Sequence, residues 1–154
     1  MRIALSADHR GASCIRLLAE KLKREGHEAN VVGDCSSTSC DYPERAYEVG
    51  NMLANNEVDL GVLVCGTGIG MSIAANKVKG VRAAVVHDEL TAQLSRSHND
   101  SNVLCLSADL LGQRLIEKIV EAWLGATFEG GRHSRRIRKI MAMERGENPA
   151  TVAE

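Results

Sequence analysis

The sequence predicts a single α/β domain: a three-layer sandwich whose open, parallel, five-stranded sheet carries helices on both faces, with one more helix at the C-terminus. Three observations predict it. Short apolar runs alternate strictly with longer stretches of helical character. Some runs are apolar without a break, as in Leu60-Gly61-Val62-Leu63-Val64-Cys65, which is the pattern of a parallel strand buried on both faces. The chain has 154 residues, 44% of them apolar, enough for one domain with a real core.

The elements follow in order. A strand is expected over 3–7, then a helix over 11–25 in which Ile15, Leu18, Ala19 and Leu22 repeat at helical spacing and Gly26 serves as C-terminal cap. Strands over 28–32, 60–65, 81–86 and 103–107 alternate with helices near 44–56, 69–78, 88–97 and 110–124. Gly125 closes the helix that holds Trp123. Ile137, Ile140 and Met141 give the tail an apolar helical face, and 145–154 reads as a frayed end. Right-handed crossovers place helices on both faces of such a sheet. Ligands then bind at the carboxyl ends of its strands, so the chemistry is sought there.

Composition removes several function classes. A net charge of −1 provides no basic field for nucleic acid or anionic membrane, and aromatics are only 3%. Charge returns too early in Met1-Arg2-Ile3-Ala4-Leu5-Ser6-Ala7-Asp8-His9 for a signal-peptide core, and no apolar run reaches membrane-spanning length. A cytoplasmic protein is expected. The five cysteines, Cys14, Cys35, Cys40, Cys65 and Cys105, are scattered and contain no CxxC pair, so neither disulfides nor a zinc site is expected.

Three segments stand out. The first strand runs into Asp8-His9-Arg10-Gly11, and the third into Cys65-Gly66-Thr67-Gly68-Ile69-Gly70. The third segment, Ser97-His98-Asn99-Asp100, reads as a polar loop before the fifth strand and is expected near the other two. The glycine-rich turn can cradle an anion or oxyanion with backbone N–H groups, or it can be a tight packing turn. A dinucleotide site competes, with Asp88 and Glu89 placed for a ribose, but the spacing is GxGxG and follows the third strand. No Gly-Lys-Ser/Thr follows, so a P-loop is excluded.

Cys65 stands where a helix N-terminus favours a thiolate, although a cysteine ending a buried strand is often only a small core residue. His98 can shuttle protons near neutral pH or be a surface histidine. Asp8 and His9 can equally be turn residues. In the tail, Arg132, His133, Arg135, Arg136, Arg138 and Lys139 form a basic run. Such a run is commonly a solvated face, but Arg132 and Arg136 are four apart and make a two-pronged phosphate clamp.

Together these blocks resemble the type B ribose-5-phosphate isomerases, a family that includes galactose-6-phosphate isomerase subunits. The blocks are Ser6-Ala7-Asp8-His9, Asp41-Tyr42-Pro43, Cys65-Gly66-Thr67-Gly68-Ile69-Gly70-Met71-Ser72-Ile73-Ala74-Ala75-Asn76-Lys77, Ser95-Arg96-Ser97-His98-Asn99-Asp100 and Gly130-Gly131-Arg132-His133. The resemblance implies a Rossmann-like sheet and metal-free, cofactor-free interconversion of ribose 5-phosphate and ribulose 5-phosphate. It implies a homodimer, or a tetramer, with active sites at the subunit interface. Cys65 would move a proton between C1 and C2, and His98 would open the sugar ring. Thr67 and the backbone of Gly66, Gly68, Ile69 and Gly70 would hold the enediolate. Asp8, His9, Tyr42, Asn99, Arg132 and Arg136 would contact the substrate, with His98 and Asn99 reaching in from the neighbouring subunit.

Two departures matter. Some relatives carry a basic-acting glutamate where this chain has Met71, which leaves Cys65 as the base. Many carry a phosphate-contacting arginine where this chain has Asp109, with Arg10, Gln113 or Arg114 as possible replacements. An anion near a phosphate is unfavourable. The change is either tolerated or marks another aldose phosphate, a tetrose or hexose phosphate, as substrate. A non-catalytic sugar-phosphate or nucleotide-binding module is the remaining alternative.

Overall fold

Every pairing in the sheet is parallel, and the strand order is β2-β1-β3-β5-β4. The computed structural model describes residues 1–33 and 39–152. Its elements are β1 (Arg2–Ala7), α1 (Ala12–Arg24), β2 (Glu28–Val31), α2 (Tyr42–Ala54), β3 (Leu60–Cys65), α3 (Ile69–Ala75), β4 (Ala83–Val85), α4 (Glu89–Asn99), β5 (Val103–Ser107), α5 (Gln113–Gly125) and α6 (Arg132–Glu144).

The two-residue period of the strands sorts their side chains into two cores. Ile3, Leu5, Val62, Val64, Leu104 and Leu106 pack with Ile15, Leu18 and Leu22 of α1 and with Ile116, Ile119 and Trp123 of α5. Ala4, Leu63, Cys65, Val103 and Cys105 turn to the other face, against Ala46 and Val49 of α2 and Met71 and Ala75 of α3. Burying one Leu or Ile contributes about 1.5–3 kcal/mol, so both faces must be covered for β3 and β5 to hold together. The same alternation points Cys65 toward α2 and α3. Met71 is fully buried there as a core residue.

Several boundaries differ from expectation for identifiable reasons. α2 begins at Tyr42 because Pro43 occupies its first turn, where a missing N–H costs nothing. β4 is shorter than 81–86 because the Arg82 N–H is taken by the Asn102 Oδ1 at 2.7 Å and not by a strand. α4 starts at Glu89, after Asp88, whose side chain caps the Thr91 N–H at 2.7 Å, and continues to Asn99 before Asp100 turns at φ 45°. His98 therefore ends a helix and is not in a loop. Ser95 and Ser97 are buried on that helix. Ser95 Oγ lies 2.9 Å from Ser101 Oγ, which accepts the Trp123 Nε1–H at 2.8 Å, so polar residues supply a buried face.

The expectation of no disulfides is corrected: Cys40 is disulfide-bonded, while Cys14, Cys65 and Cys105 are free. Redox poise governs whether such a bond persists, not whether sulfurs come within bonding distance. Cys35 lies outside the described residues. Within the expected frayed end, Pro149–Thr151 forms a 3-10 turn whose Asn148 Oδ1 accepts the Ala150 N–H at 2.9 Å. Ala153 and Glu154 lie outside the described residues. No described helix is long and apolar enough to cross a membrane.

Candidate active site

The carboxyl ends of β1, β3 and β5 are adjacent and tied together by the backbone. Asp8 N–H donates to Val64 O at 3.1 Å, Ala108 N–H to Cys65 O at 2.9 Å, and Asp109 N–H to Gly66 O at 3.1 Å. Ser107 Oγ–H also donates to Gly66 O, at 2.6 Å. Into this frame the glycine turn folds back. Gly68 sits at φ 78°, and its N–H donates to Cys65 Sγ at 3.1 Å. This bond fixes the sulfur against the turn. Thr67 Oγ1 accepts the Ile69 N–H at 3.3 Å.

A side chain at Gly68 would lie 3.1–3.2 Å from backbone atoms of Leu106, so both its conformation and its space require glycine. At Gly66 a Cβ would lie 2.9 Å from Asp109 Oδ2, and at Gly70 one would strike the Tyr42 ring at 2.6 Å. Tyr42 and Asp109 thus flank the turn directly. Asp8 is buried, and its Oδ1 accepts the N–H groups of Arg10 at 2.9 Å and Gly11 at 3.2 Å, while His9 is exposed beside it.

Arg10 and Asp109 form a pair that sequence did not reveal. Arg10 Nε lies 2.9 Å from both carboxylate oxygens, and Nη2 is 2.7 Å from Oδ1. The bond to Asp109 raises the Arg10 pKa further, so the guanidinium stays charged. Their side chains are 55% and 36% exposed, at the mouth of the turn. Of the other two replacements considered for the missing arginine, Gln113 donates to Glu117 Oε1 at 3.0 Å.

The second group of candidates is elsewhere, which corrects the expectation that 97–102 lies near the glycine turn. α4 runs back along the sheet to the start of β5, so His98 and Asn99 lie at the amino edge. Five residues of β5 separate the two ends, roughly 16 Å at about 3.3 Å per residue. Glu129 N–H donates to Ser97 O at 3.0 Å and brings the start of α6 to the same place, with Arg132 and Arg136 exposed on it.

There the His98 and His133 rings stack, with centroids 4.2 Å apart and planes within 7°. Glu129 Oε2 is 3.8 Å from Nε2 of each ring. Burial, the neighbouring His98 and Arg132 hold the His133 pKa below the usual histidine value. His98, Glu129 and His133 are the described residues of metal-ligating type that gather closely. Parallel rings stacked face to face cannot both direct in-plane lone pairs at one ion, so the arrangement suits a shared carboxylate better. Sequence reasoning passed over Glu129. Its position four residues before His133 was the available indication.

Residues 3–140 match the family model described as Ribose/Galactose Isomerase. The chain is 46% identical over 147 residues to ribose-5-phosphate isomerase B of Escherichia coli K12, covering 96% of this chain and 99% of that protein. The structure of Clostridium thermocellum ribose-5-phosphate isomerase B superposes with a TM-score of 0.93 at 42% identity, covering 95% of this chain and 99% of that one. The Mycoplasma genitalium ribose-5-phosphate isomerase B structure with bound ribulose 5-phosphate gives 0.89 at 43% identity, covering 94% and 96%.

Proposed function

The chain belongs to the ribose/galactose isomerase family, and from that premise we propose that it interconverts ribose 5-phosphate and ribulose 5-phosphate through an enediolate, with Cys65 as the base. The observation that carries the reading is Cys65 Sγ at the end of β3, held by the Gly68 N–H beside an oxyanion-type turn. Proton abstraction next to a carbonyl needs a base and donors aimed at the oxygen that becomes negative. In this reading Thr67 and the turn from Gly66 to Gly70 supply the donors. Asp8, His9 and Tyr42 contact sugar hydroxyls, and no metal or cofactor takes part.

His98 opens the ring, with Asn99, Arg132 and Arg136 holding substrate and phosphate, and all four come from a second copy. The separation of the two groups along β5 supports this assignment, because one chain cannot bring His98 to its own Cys65. A two-fold symmetric pair unites them twice. Exposed apolar side chains one helical turn apart, Ile69 and Ile73 on α3 and Leu90 and Leu94 on α4, give such a pair surface to bury. The free thiols of Cys14, Cys65 and Cys105 support a cytoplasmic setting, against which stands the disulfide at Cys40.

One observation favours a second substrate. The Arg10–Asp109 pair places an anion where the family resemblance expects a cation, which fits an aldose phosphate of another length. Initial rates on four-, five- and six-carbon aldose phosphates, without added metal, decide between them. Highest kcat/KM on ribose 5-phosphate, abolished in Cys65→Ala, upholds the main reading. A clear preference for another sugar transfers the same chemistry to it. Sugar phosphate binding without turnover in the wild type would leave only a binding module.

A further inference from the structure

We infer that Glu129 and His133 are positioning residues for His98, forming with it a compact unit, ring against ring with a carboxylate beside them, that keeps its imidazole aimed for ring opening. The inference rests on the isomerase reading above. Nothing in Cys65 or its turn calls for this cluster, yet it is built with care. His133 is the buried member, with a side chain only 7% exposed, and it presents the flat face of its ring to His98, whose side chain is 34% exposed. A rigid ring against a half-exposed one removes rotational freedom that a surface histidine would keep.

Glu129 fixes the other end. Its Oε2 stands 3.8 Å from Nε2 of both rings; the contact to His98 closes to a hydrogen bond with a shift of under about 1 Å, whereas His133 Nε2 accepts the Arg132 Nε–H at 3.5 Å. Two parallel imidazoles 4.2 Å apart do not both carry a proton at little cost, since like charges repel at that distance. His133 is the ring held neutral. It is buried, and Arg132 Nε lies 3.5 Å from its Nε2, with Arg136 also nearby. His98 is the accessible ring of the two, and Glu129 Oε2, 3.8 Å from its Nε2, stabilises an imidazolium whenever one forms there.

Ring opening passes a proton through His98. The bond between C1 and the ring oxygen breaks, the ring oxygen takes the proton from His98, and the C1 hydroxyl returns its own proton to the imidazole. The step is balanced and leaves Cys65 untouched, so it separates experimentally from enediolate formation. Ribulose 5-phosphate has no ring to open. Exchange of its C1 hydrogen in D2O, followed by NMR, reports the Cys65 step alone.

The variants are Glu129→Gln, which is at an exposed position, Glu129→Asp and His133→Phe, which retains a ring face. Glu129→Gln is expected to lower kcat/KM on ribose 5-phosphate by about tenfold or more, while C1 exchange changes by less than about twofold. Glu129→Asp, which keeps the carboxylate, should recover most of the loss. His133→Phe should keep C1 exchange and shift the acidic limb of the ribose 5-phosphate pH profile. Equal losses in both readouts, or no loss in Glu129→Gln, overturn the inference. A wild type that neither isomerises ribose 5-phosphate nor exchanges C1 of ribulose 5-phosphate overturns the isomerase reading instead.

Discussion

Replacing Gly68 with alanine tests whether the turn beside Cys65 is held by geometry or merely tolerates glycine. The substitution has two separable costs. At φ 78° an L-residue meets a backbone penalty of about 1–2 kcal/mol. The new Cβ would also lie 3.0 Å from Val85 Cγ2 and 3.1 and 3.2 Å from Leu106 C and N. Val85 is a side chain on the edge strand and can move. Leu106 is backbone of β5, paired with Val64 of β3, and cannot, which adds about 1–3 kcal/mol of overpacking. The sum, about 2–5 kcal/mol, lowers the melting temperature of a chain this size by roughly 4–20 °C.

Gly80→Ala is the matched control. Gly80 has φ 84°, but nothing lies within 4 Å of its ideal Cβ, so it carries the backbone cost alone. Thermal melts of both variants isolate the packing contribution as their difference. Activity should separate further. A turn displaced by a few tenths of an ångström misaims the N–H held on Cys65 Sγ, and kcat/KM of Gly68→Ala should fall about 10–100-fold while Gly80→Ala stays near wild type. If the two variants melt together and Gly68→Ala keeps its activity, the geometric account of the turn is wrong.

Three further outcomes follow from the contacts described. Trp123→Phe deprives buried Ser101 Oγ of its Nε1–H donor and should cost about 1–3 kcal/mol in a urea titration. An unchanged midpoint would mean that the serine pair re-satisfies itself. Asp109→Asn should release Arg10 with little change in stability, since both side chains are largely exposed. If the phosphate lies near this mouth, KM for ribose 5-phosphate drops severalfold, and an unchanged KM places the phosphate elsewhere. For His133, the lowered pKa means the unfolded chain binds its proton first. Stability should therefore be full above the ordinary histidine pKa of about 6.5 and decline as pH falls from there toward the lower folded value. In His133→Phe that part of the slope should vanish.

Much of the fold was legible because β3 and β5 are apolar runs bounded by polar or small residues, and their limits fell where expected. The Cys65 turn was equally plain, since glycines at fixed spacing after a buried strand have few other uses. The end of α4 was not legible. Ser95 and Ser101 are buried through a hydrogen bond to each other and one from Trp123, and Ser97 is buried beside them on the helix, a pattern that apolar periodicity cannot register. With the helix read as stopping early, His98 seemed to share an edge with Cys65. The Arg10–Asp109 pair was invisible for another reason. Its partners are 99 positions apart, and only the adjacency of β1, β3 and β5 brings them together.

The placement of the two residue groups at opposite ends of β5 has a genetic consequence. If each working centre borrows half its parts from a second copy, two inactive chains can repair each other. A chain lacking Cys65 still lends a sound His98, and a chain lacking His98 still offers a sound Cys65. Mixed one to one and allowed to reassort, half the pairs are hybrid, and each hybrid rebuilds one whole centre beside one doubly broken one. About a quarter of the original activity should reappear from two dead parents. A centre contained within one chain would recover nothing, so the molecule's own division of labour becomes readable by complementation.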